Sequence, residues 1–565
     1  MCGFIITNQD IKITDFKNTL KHRGPDQTGS YEHGEIKIIF NRLAIIDLSK
    51  KANQPFVYKN FIIIFNGEIY NYLELRKQLT DLGHKFVSNS DTEVLLKSYL
   101  QWKRGCLKKL EGMFSFCIYN KANRTIFVAR DRYGIKPLFY FKDKNKFIIS
   151  SEKKAIFDLG VKKKLNLPSI LNFIYRGVYQ HSKQTFFDGI YNIEPGMFAT
   201  IKNGNISLKK WFNFEYDINN KIKYYDARDQ LDYLIKKSIR LSLRSDKNIA
   251  VSVSGGIDSS MIINKLIEEN LGSNISHLSH WTCDDENDEK YYANLLAKSY
   301  QRKIVLAHFK KKDFYKYMMK SLKHIDEPFG GLSLMASLKM CEMLKKKGVR
   351  VLLDGNGIDE ILGGYGHHIN TFNKNHLDYK NQPIQGLKVF FPKNILNKKF
   401  HDLIPDFSIK KKFKNYLKDV MFNDLTGSKL RRCLLQGDHI SMSQSIEVRY
   451  PFLNNELVNF CFSLPNNFLI KNNFGKYIMR DLSKKPIFWQ AKRPSQTPQT
   501  KWMREFILED LIKNIKKNEI FFDNSVFNKE NLIRELKMWK SKNVKNSAFP
   551  WYFLMIYHFV NKNIN

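Results

Sequence analysis

Cysteine is scarce in this chain. Its seven thiols, Cys2, Cys106, Cys117, Cys283, Cys341, Cys433 and Cys461, form no Cys-x-x-Cys motif and no regular framework. An odd, scattered set excludes a disulfide scaffold and predicts a reduced, cytoplasmic protein. Long apolar runs are missing too. The longest aromatic-aliphatic stretch, Trp551 to Val560, falls well short of the roughly 20 residues that span a bilayer. The start, Met-Cys-Gly-Phe-Ile-Ile, has no basic leader and no cleavage site, so neither export nor a membrane is expected. Acidic residues are in short supply: 55 Asp and Glu stand against 93 Lys and Arg, a formal charge of +38. The lysines are dispersed in clusters such as Lys162-Lys163-Lys164 and Lys310-Lys311-Lys312, with no arginine-aromatic module beside them. They read as solvated charge, and no nucleic-acid partner is expected. A hydrophobic content of 43% marks folded domains, and 565 residues exceed one compact core, which predicts two or three domains.

The phosphate motifs commonest in α/β proteins are absent as well. The stretch Ser254 to Ser260, SGGIDSS, lacks the Gly-Lys-Ser/Thr of a Walker A loop and the GxGxxG of a dinucleotide fold. It does follow an apolar run, Ile249 to Val253, and precedes a helical pattern from Met261. Strand, glycine turn and helix N-terminus together aim backbone N–H groups at an anion. Asp258 adds a carboxylate suited to Mg²⁺, and Ser254, Ser259 and Ser260 add hydroxyls. A plain glycine turn capping a helix gives the same pattern from the loop alone. The loop resembles the pyrophosphate loop of the ATP-pyrophosphatase superfamily, which cleaves ATP between its α- and β-phosphates.

Other stretches carry chemistry of their own. Removal of Met1 would leave Cys2 with a nucleophilic thiol and a free amine a few bonds apart, the amine serving as base. Phe61-Ile62-Ile63-Ile64-Phe65 reads as a buried strand ending in Asn66-Gly67-Glu68. An amide side chain and a glycine N–H at a strand end are the donors of an oxyanion hole. Asp91 reads as the N-cap of a helix through Tyr99. Leu110–Tyr119 and Thr125–Asp131 read as a hairpin. Strands with helices between them predict a two-sheet layered domain ending near residue 200. Residues 205–228 read as a linker. Beyond them, strands at Ile249, Ile275–Trp281, Lys303–Leu306 and Val349–Leu353 alternate with helices, one of them from Asp288-Glu289. This predicts a parallel sheet covered on both faces. Ligands of such sheets sit beyond the carboxyl ends of the strands, where SGGIDSS and the second motif, DGNGIDEILGGY from Asp354 to Tyr365, both lie. Asp258 and Asp359 therefore read as a shared Mg²⁺ site. The last third reads as mostly helical.

Met-Cys-Gly at the start, HRGPD, RLAIIDL, FNGEIYN, SDTE, LEGMFSF and ARDRYGIKPL together resemble the glutaminase domain of the glutamine-dependent asparagine synthetases. That family joins an N-terminal-nucleophile amidotransferase to an ATP-pyrophosphatase domain, in the order seen here. The resemblance implies an α/β and α+β architecture. A layered αββα domain would cover 1–204, and a parallel-sheet domain with a helical C-terminal part would cover 229–565. It implies Cys2 as nucleophile, Asn66 and Gly67 as oxyanion hole, and Arg42 on the glutamine α-carboxylate. Glu68 and Asp91 would lie near the α-amino group, and Ile45 and Ile46 would line the pocket. ATP would meet Val253, Ser254, Gly255, Gly256, Asp258, Ser259, Ser260, His280, Asp354 and Gly355, with Lys476 neutralising charge at the α-phosphate. Glu447 and Arg449 would lie on the acceptor side, although a buried structural ion pair fits them equally.

The reaction so implied uses glutamine, Mg-ATP and a carboxylate, first of all aspartate, and passes ammonia through an internal tunnel. A homodimer is compatible with it. Two departures stand out. Asn356 occupies a position that is acidic in typical asparagine synthetases. The segment Lys492 to Gln499 replaces a Phe-Ser-Gly type sequence. Rival readings are amidation of another carboxylate such as a uronic-acid sugar, ring closure as in β-lactam synthetases, or a basic non-catalytic or nucleic-acid-binding scaffold. A scaffold needs none of Cys2, Asn66, Asp258 and Asp359.

Overall fold

The computed structural model describes residues 2–273, 275–283, 290–376, 392–404, 408–483, 485–489, 497–517, 526–542 and 546–564. The first strands are β1 (Gly3–Thr7), β2 (Gln27–His33), β3 (Ile36–Arg42), β4 (Phe56–Tyr58), β5 (Phe61–Ile69) and β6 (Gly112–Asn120). They continue as β7 (Thr125–Arg130), β8 (Phe139–Asp143), β9 (Lys146–Ser150), β10 (Ile190–Asn192), β11 (Met197–Lys202) and β12 (Asn205–Lys210). Two six-stranded sheets result, ordered β10-β8-β9-β1-β3-β2 and β12-β11-β7-β6-β5-β4. Period-two alternation in β1, β3, β5 and β7 sends Phe4, Ile6, Ile38, Phe40, Ile62, Ile64, Ile126 and Val128 into the space between the sheets. The opposite face of β5 and β6 packs on the helices Tyr72–Asp81 and Asp91–Trp102 through Ile63, Phe65, Leu75, Leu79, Leu95 and Phe116. The expected hairpin is β6 with β7.

Two local expectations need correction. Asn205–Lys210, read as the start of a linker, is the edge strand β12 and pairs with β11. Asn203-Gly204, with φ of 50° and 74°, supplies the tight turn that the two strands require. The N-cap of the Asp91–Trp102 helix is Ser90, whose hydroxyl accepts from the Thr92 N–H at 3.1 Å. Asp91 therefore sits one residue inside the helix, with its carboxylate turned elsewhere.

The helix Tyr224–Ser242 leads into a five-stranded sheet ordered β15-β14-β13-β16-β17. Its strands are β13 (Ile249–Ser252), β14 (Ile275–Cys283), β15 (Ile304–Phe309), β16 (Val351–Leu353) and β17 (Glu447–Arg449). All pairings are parallel, and strand order reverses around β13, so the ends of β13 and β16 lie side by side. Such a switch point is where open α/β sheets bind ligands. Asp288-Glu289 lies outside the described residues, and the next helix is Lys290–Ser299.

The two halves share a core. Phe173, Ile174, Tyr179 and Phe186 of the first half pack with Trp551, Tyr552 and Phe559 of the Ala548–Ile564 helix. The apolar run at Trp551–Val560 is thus a buried core helix. Among the described residues no helix is long and apolar enough to cross a membrane. Among the described residues no disulfide joins any two cysteines, and only Cys433 is exposed.

Candidate active sites

The first site forms where β1 begins beside the end of β5. Cys2 is buried, and its backbone N–H donates to Asn66 Oδ1 at 3.0 Å. Its Sγ lies 4.0 Å from the Leu43 carbonyl oxygen. Burial pushes the thiol up from its ordinary value, and the Leu43 contact and Arg42 charge offset only part of that shift. With Oδ1 engaged, the Asn66 amide keeps Nδ2 as donor, and its protein neighbour is Ser115 Oγ at 3.4 Å. Gly67 has φ of 151°, and an added Cβ would sit 2.0 Å from the Met113 carbonyl oxygen, so only glycine fits.

Around this pair the expected glutamine ligands are found in varied company. Arg42 donates to Asn53 Oδ1 at 3.1 Å, to the Ser49 and Ile46 carbonyls at 3.3 Å each, and to the Asp47 carbonyl at 2.5 Å, shaping the Ile45–Ser49 loop. The Ile45 carbonyl accepts from the Asp246 N–H of the second half at 2.9 Å. Asp91 Oδ2 accepts from the Ile69 N–H at 3.0 Å, and burial pushes that carboxyl up to about 6. Glu68 lies 3.6 Å from Arg449 of the second half.

The second site lies beyond β13 and β16. Gly255 has φ of 72°, and an added Cβ would meet Tyr292 Cβ at 2.4 Å. The loop closes on itself: the Ser254 N–H donates to Ser259 Oγ at 3.1 Å and the Gly256 N–H to Ser254 Oγ at 3.2 Å. The helix Ile257–Glu268 then starts at Gly256 with no side-chain cap, so its first N–H groups face the loop. His280, in β14, contributes backbone to the same sheet, and the Ser279 carbonyl accepts from the Val253 N–H at 2.8 Å.

Lys476, buried, bridges the carboxylates of Asp258 and Asp359, the latter at 2.6 Å. Burial disfavours its charge, yet the two carboxylates more than offset this and raise its pKa. Gly364 explains the Gly-Gly that follows Asp359-Glu360: a Cβ there would stand 2.0 Å from Asp359 Oδ1 and 2.3 Å from Lys476 Cε. Glu360, without an assigned task in the sequence, is pushed up to about 7 by burial and by Asp359, and accepts from Tyr365 Oη at 2.6 Å. Two carboxylates converging beside the Ser254–Ser260 loop suit Mg²⁺, which is usually held by one or two carboxylates plus substrate phosphates. Another trio of ligand type, His367, His368 and Asp424, is a hydrogen-bonded cluster. Both imidazoles lie within 2.9 Å of one Asp424 oxygen, and Lys429 stands 3.4 Å from it.

On the acceptor side the structure shows the buried ion pair, one of the two arrangements the sequence left open. Glu447 and Arg449 are fully buried and paired at 2.6 Å, and they face Glu68. Burial and the nearby Glu447 and Asp91 push Glu68 well above the usual carboxylate range, and Arg449 holds Glu447 below it despite burial. Strand alternation sends their neighbours Val448 and Tyr450 the other way, into a cavity of about 510 Å³. Asn356 and Asp354 also line it, with Arg432, Gln436 and Trp281. Asp354 Oδ1 accepts from both the backbone N–H and the Nδ2 of Asn356, at 2.9 and 2.6 Å. Of the divergent segment, Lys492–Gln496 lies outside the described residues, and Gln499 lines the same cavity. Sequence reasoning gave no task to Arg23, which is buried against Cys2, nor to its partner Asp438. The HRGPD motif flagged Arg23, and nothing local flagged Asp438.

The glutamine amidotransferase domain profile matches residues 1–212, and the asparagine synthase profile matches residues 230–560. The chain belongs to the asparagine synthase family. Among its relatives in that family, the putative asparagine synthetase [glutamine-hydrolyzing] 2 of Methanocaldococcus jannaschii is 28% identical, over 81% of this chain and 94% of that one. Asparagine synthetase [glutamine-hydrolyzing] 1 of Bacillus subtilis is 26% identical, over 99% of this chain and 97% of that one. Amidase chry2 of Gibberella zeae is 29% identical, over 61% of this chain and 54% of that one. The family profiles meet across the connector that follows β12.

Proposed function

We propose that this chain hydrolyses glutamine at Cys2 and uses the ammonia to convert a carboxylate into an amide at the expense of ATP. The observation that carries the reading is Lys476 held between Asp258 and Asp359 at the joined ends of β13 and β16. With Met1 removed, the Cys2 nitrogen held by Asn66 is a free amine, ready to take the thiol proton. The thiolate attacks the γ-carboxamide carbon, and the oxyanion meets Asn66 Nδ2 and the Gly67 N–H. Ammonia leaves, and water hydrolyses the thioester to glutamate. At the second site a carboxylate oxygen attacks the α-phosphorus of ATP and pyrophosphate departs. Ammonia attacks the acyl carbon and AMP leaves. Lys476 supplies a fixed positive charge at the phosphates. Asp258 and Asp359 would hold Mg²⁺, which when bound neutralises triphosphate charge. The buried Glu68, Arg449 and Glu447 lie on the ground between the two sites, where ammonia must pass without meeting bulk water.

Aspartate is the acceptor that the relatives' names support. Two observations favour a second reading, a larger carboxylate such as a uronic-acid sugar. Asn356 is neutral where an acid is typical, and losing a charge-assisted contact costs about 1.5–3 kcal/mol. The adjoining cavity of about 510 Å³ is of a size that holds ligands bulkier than an amino acid. Pyrophosphate release from Mg-ATP and glutamine, with aspartate against uronates and with Asn356→Glu alongside, separates the two. Strong aspartate turnover that Asn356→Glu does not improve supports asparagine synthesis. Turnover of another acid alone retires aspartate.

A further inference from the structure

The Ser428–Met442 helix touches both sites. Gln436, Gly437, Ile440 and Ser441 form part of the wall of the cavity beside Asn356. At roughly 100° per residue, Asp438 points about 130° away from the middle of that face. It reaches the glutaminase half, where its carboxylate accepts from Arg23 Nη2 at 2.8 Å and from Lys136 Nζ at 3.4 Å. The same Arg23 guanidinium donates through Nε to the Cys2 carbonyl oxygen at 2.9 Å and through Nη1 to Glu152 at 2.8 Å. Arg23, Lys136, Glu152 and Asp438 are all buried. Just past the helix, Ser445 Oγ donates to the His22 carbonyl at 2.8 Å, gripping the turn that carries Arg23.

One side chain thus joins the backbone of Cys2 to the wall of the acceptor cavity. A buried guanidinium with three engaged donors cannot drop a partner cheaply, because the loss leaves a buried charge uncompensated. Any shift of the helix on filling of the cavity is therefore passed through Arg23 to Cys2. Docking of the two halves alone does not account for this arrangement. The buried pair Lys153–Glu327, 3.0 Å apart, already docks them and makes no contact with Cys2.

We propose that Asp438 is a positioning residue that, through Arg23, couples occupancy of the ATP and acceptor site to the placement of Cys2. Glutamine hydrolysis then accelerates when that site is filled. The inference rests on the two-site reading above. It is tested on the full chain by glutamate release with glutamine alone, and again with saturating Mg-ATP and aspartate or whichever carboxylate releases pyrophosphate. The wild type should accelerate at least about fivefold, the low end of measured couplings between sites. Asp438→Asn should bring that ratio close to unity while pyrophosphate release driven by ammonium chloride persists. Asp438→Glu keeps the charge, relieves any folding defect of the amide variant, and should restore part of the ratio. A wild-type ratio of unity, or a folded Asp438→Asn with the full wild-type ratio, overturns the coupling. Wild-type protein that releases no pyrophosphate even with ammonium overturns the two-site reading and the coupling with it.

Discussion

Cys2 and Lys476 are both buried polar groups, and the proposed reaction gives each a task that a variant can test. Cys2 lies against Asn66 at the rim of the layered domain, so Cys2→Ala should reduce glutamate release to background. Pyrophosphate release with ammonium salts should stay within about threefold of wild type, since nucleophile and ligase chemistry are separate. Loss of both activities in a folded variant contradicts this. Lys476 carries the complementary prediction. It is the cation between Asp258 and Asp359, and Lys476→Met removes the charge that the proposed reaction places at the phosphates. ATP cleavage should fall by about 10²–10³-fold, the usual effect of deleting such a group. Glutaminase activity without ATP should be untouched. Near-native pyrophosphate release by Lys476→Met would remove the lysine from the phosphate chemistry.

The Ser428–Met442 helix carries a prediction of its own, through a histidine beside Asp438. His439 is buried, its Nδ1–H donates to the Leu435 carbonyl at 2.8 Å, and burial holds its pKa down at about 4. The unfolded chain protonates this ring near its ordinary 6.5, so between pH 6.5 and 4 the unfolded state binds more protons. Stability must then fall with falling pH, by up to about 1.4 kcal/mol per unit from this one group. Melting temperature against pH should show that slope, and His439→Gln should flatten it. An unchanged slope in the variant would mean that the ring is charged in the folded state.

Much of this was legible at the level of elements. FIIIFNGEI and SGGIDSS are complete local sentences: strand, special turn, and a helix or a donor pair. The edge strand β12 is not legible, because Asn205–Lys210 alternates too weakly to stand apart from a polar linker. The orientation of Glu447 and Arg449 was not legible either. Period two says that they share a face, and only tertiary packing says which face. Arg23 and Asp438 lie 415 positions apart, beyond any local pattern.

At the scale of the molecule, the halves behave as one body. They share an apolar core that runs from Phe173 to Trp551, and buried charge pairs cross the junction at Arg23–Asp438, Lys136–Asp438, Lys153–Glu327 and Glu68–Arg449. Breaking one partner of such a pair typically costs about 3–5 kcal/mol, so the relative placement of the two sites is held firmly. A fixed junction is what transfer of free ammonia demands, because ammonia released to water near neutral pH becomes ammonium. The direct measurement follows the nitrogen. Wild-type protein is given glutamine labelled with ¹⁵N in its amide, Mg-ATP and a panel of carboxylates in a buffer of unlabelled ammonium. The account predicts ¹⁵N in the product amide, with AMP and pyrophosphate formed in step. Product amide carrying only unlabelled nitrogen, or glutamine hydrolysis with no pyrophosphate from any carboxylate, would contradict it.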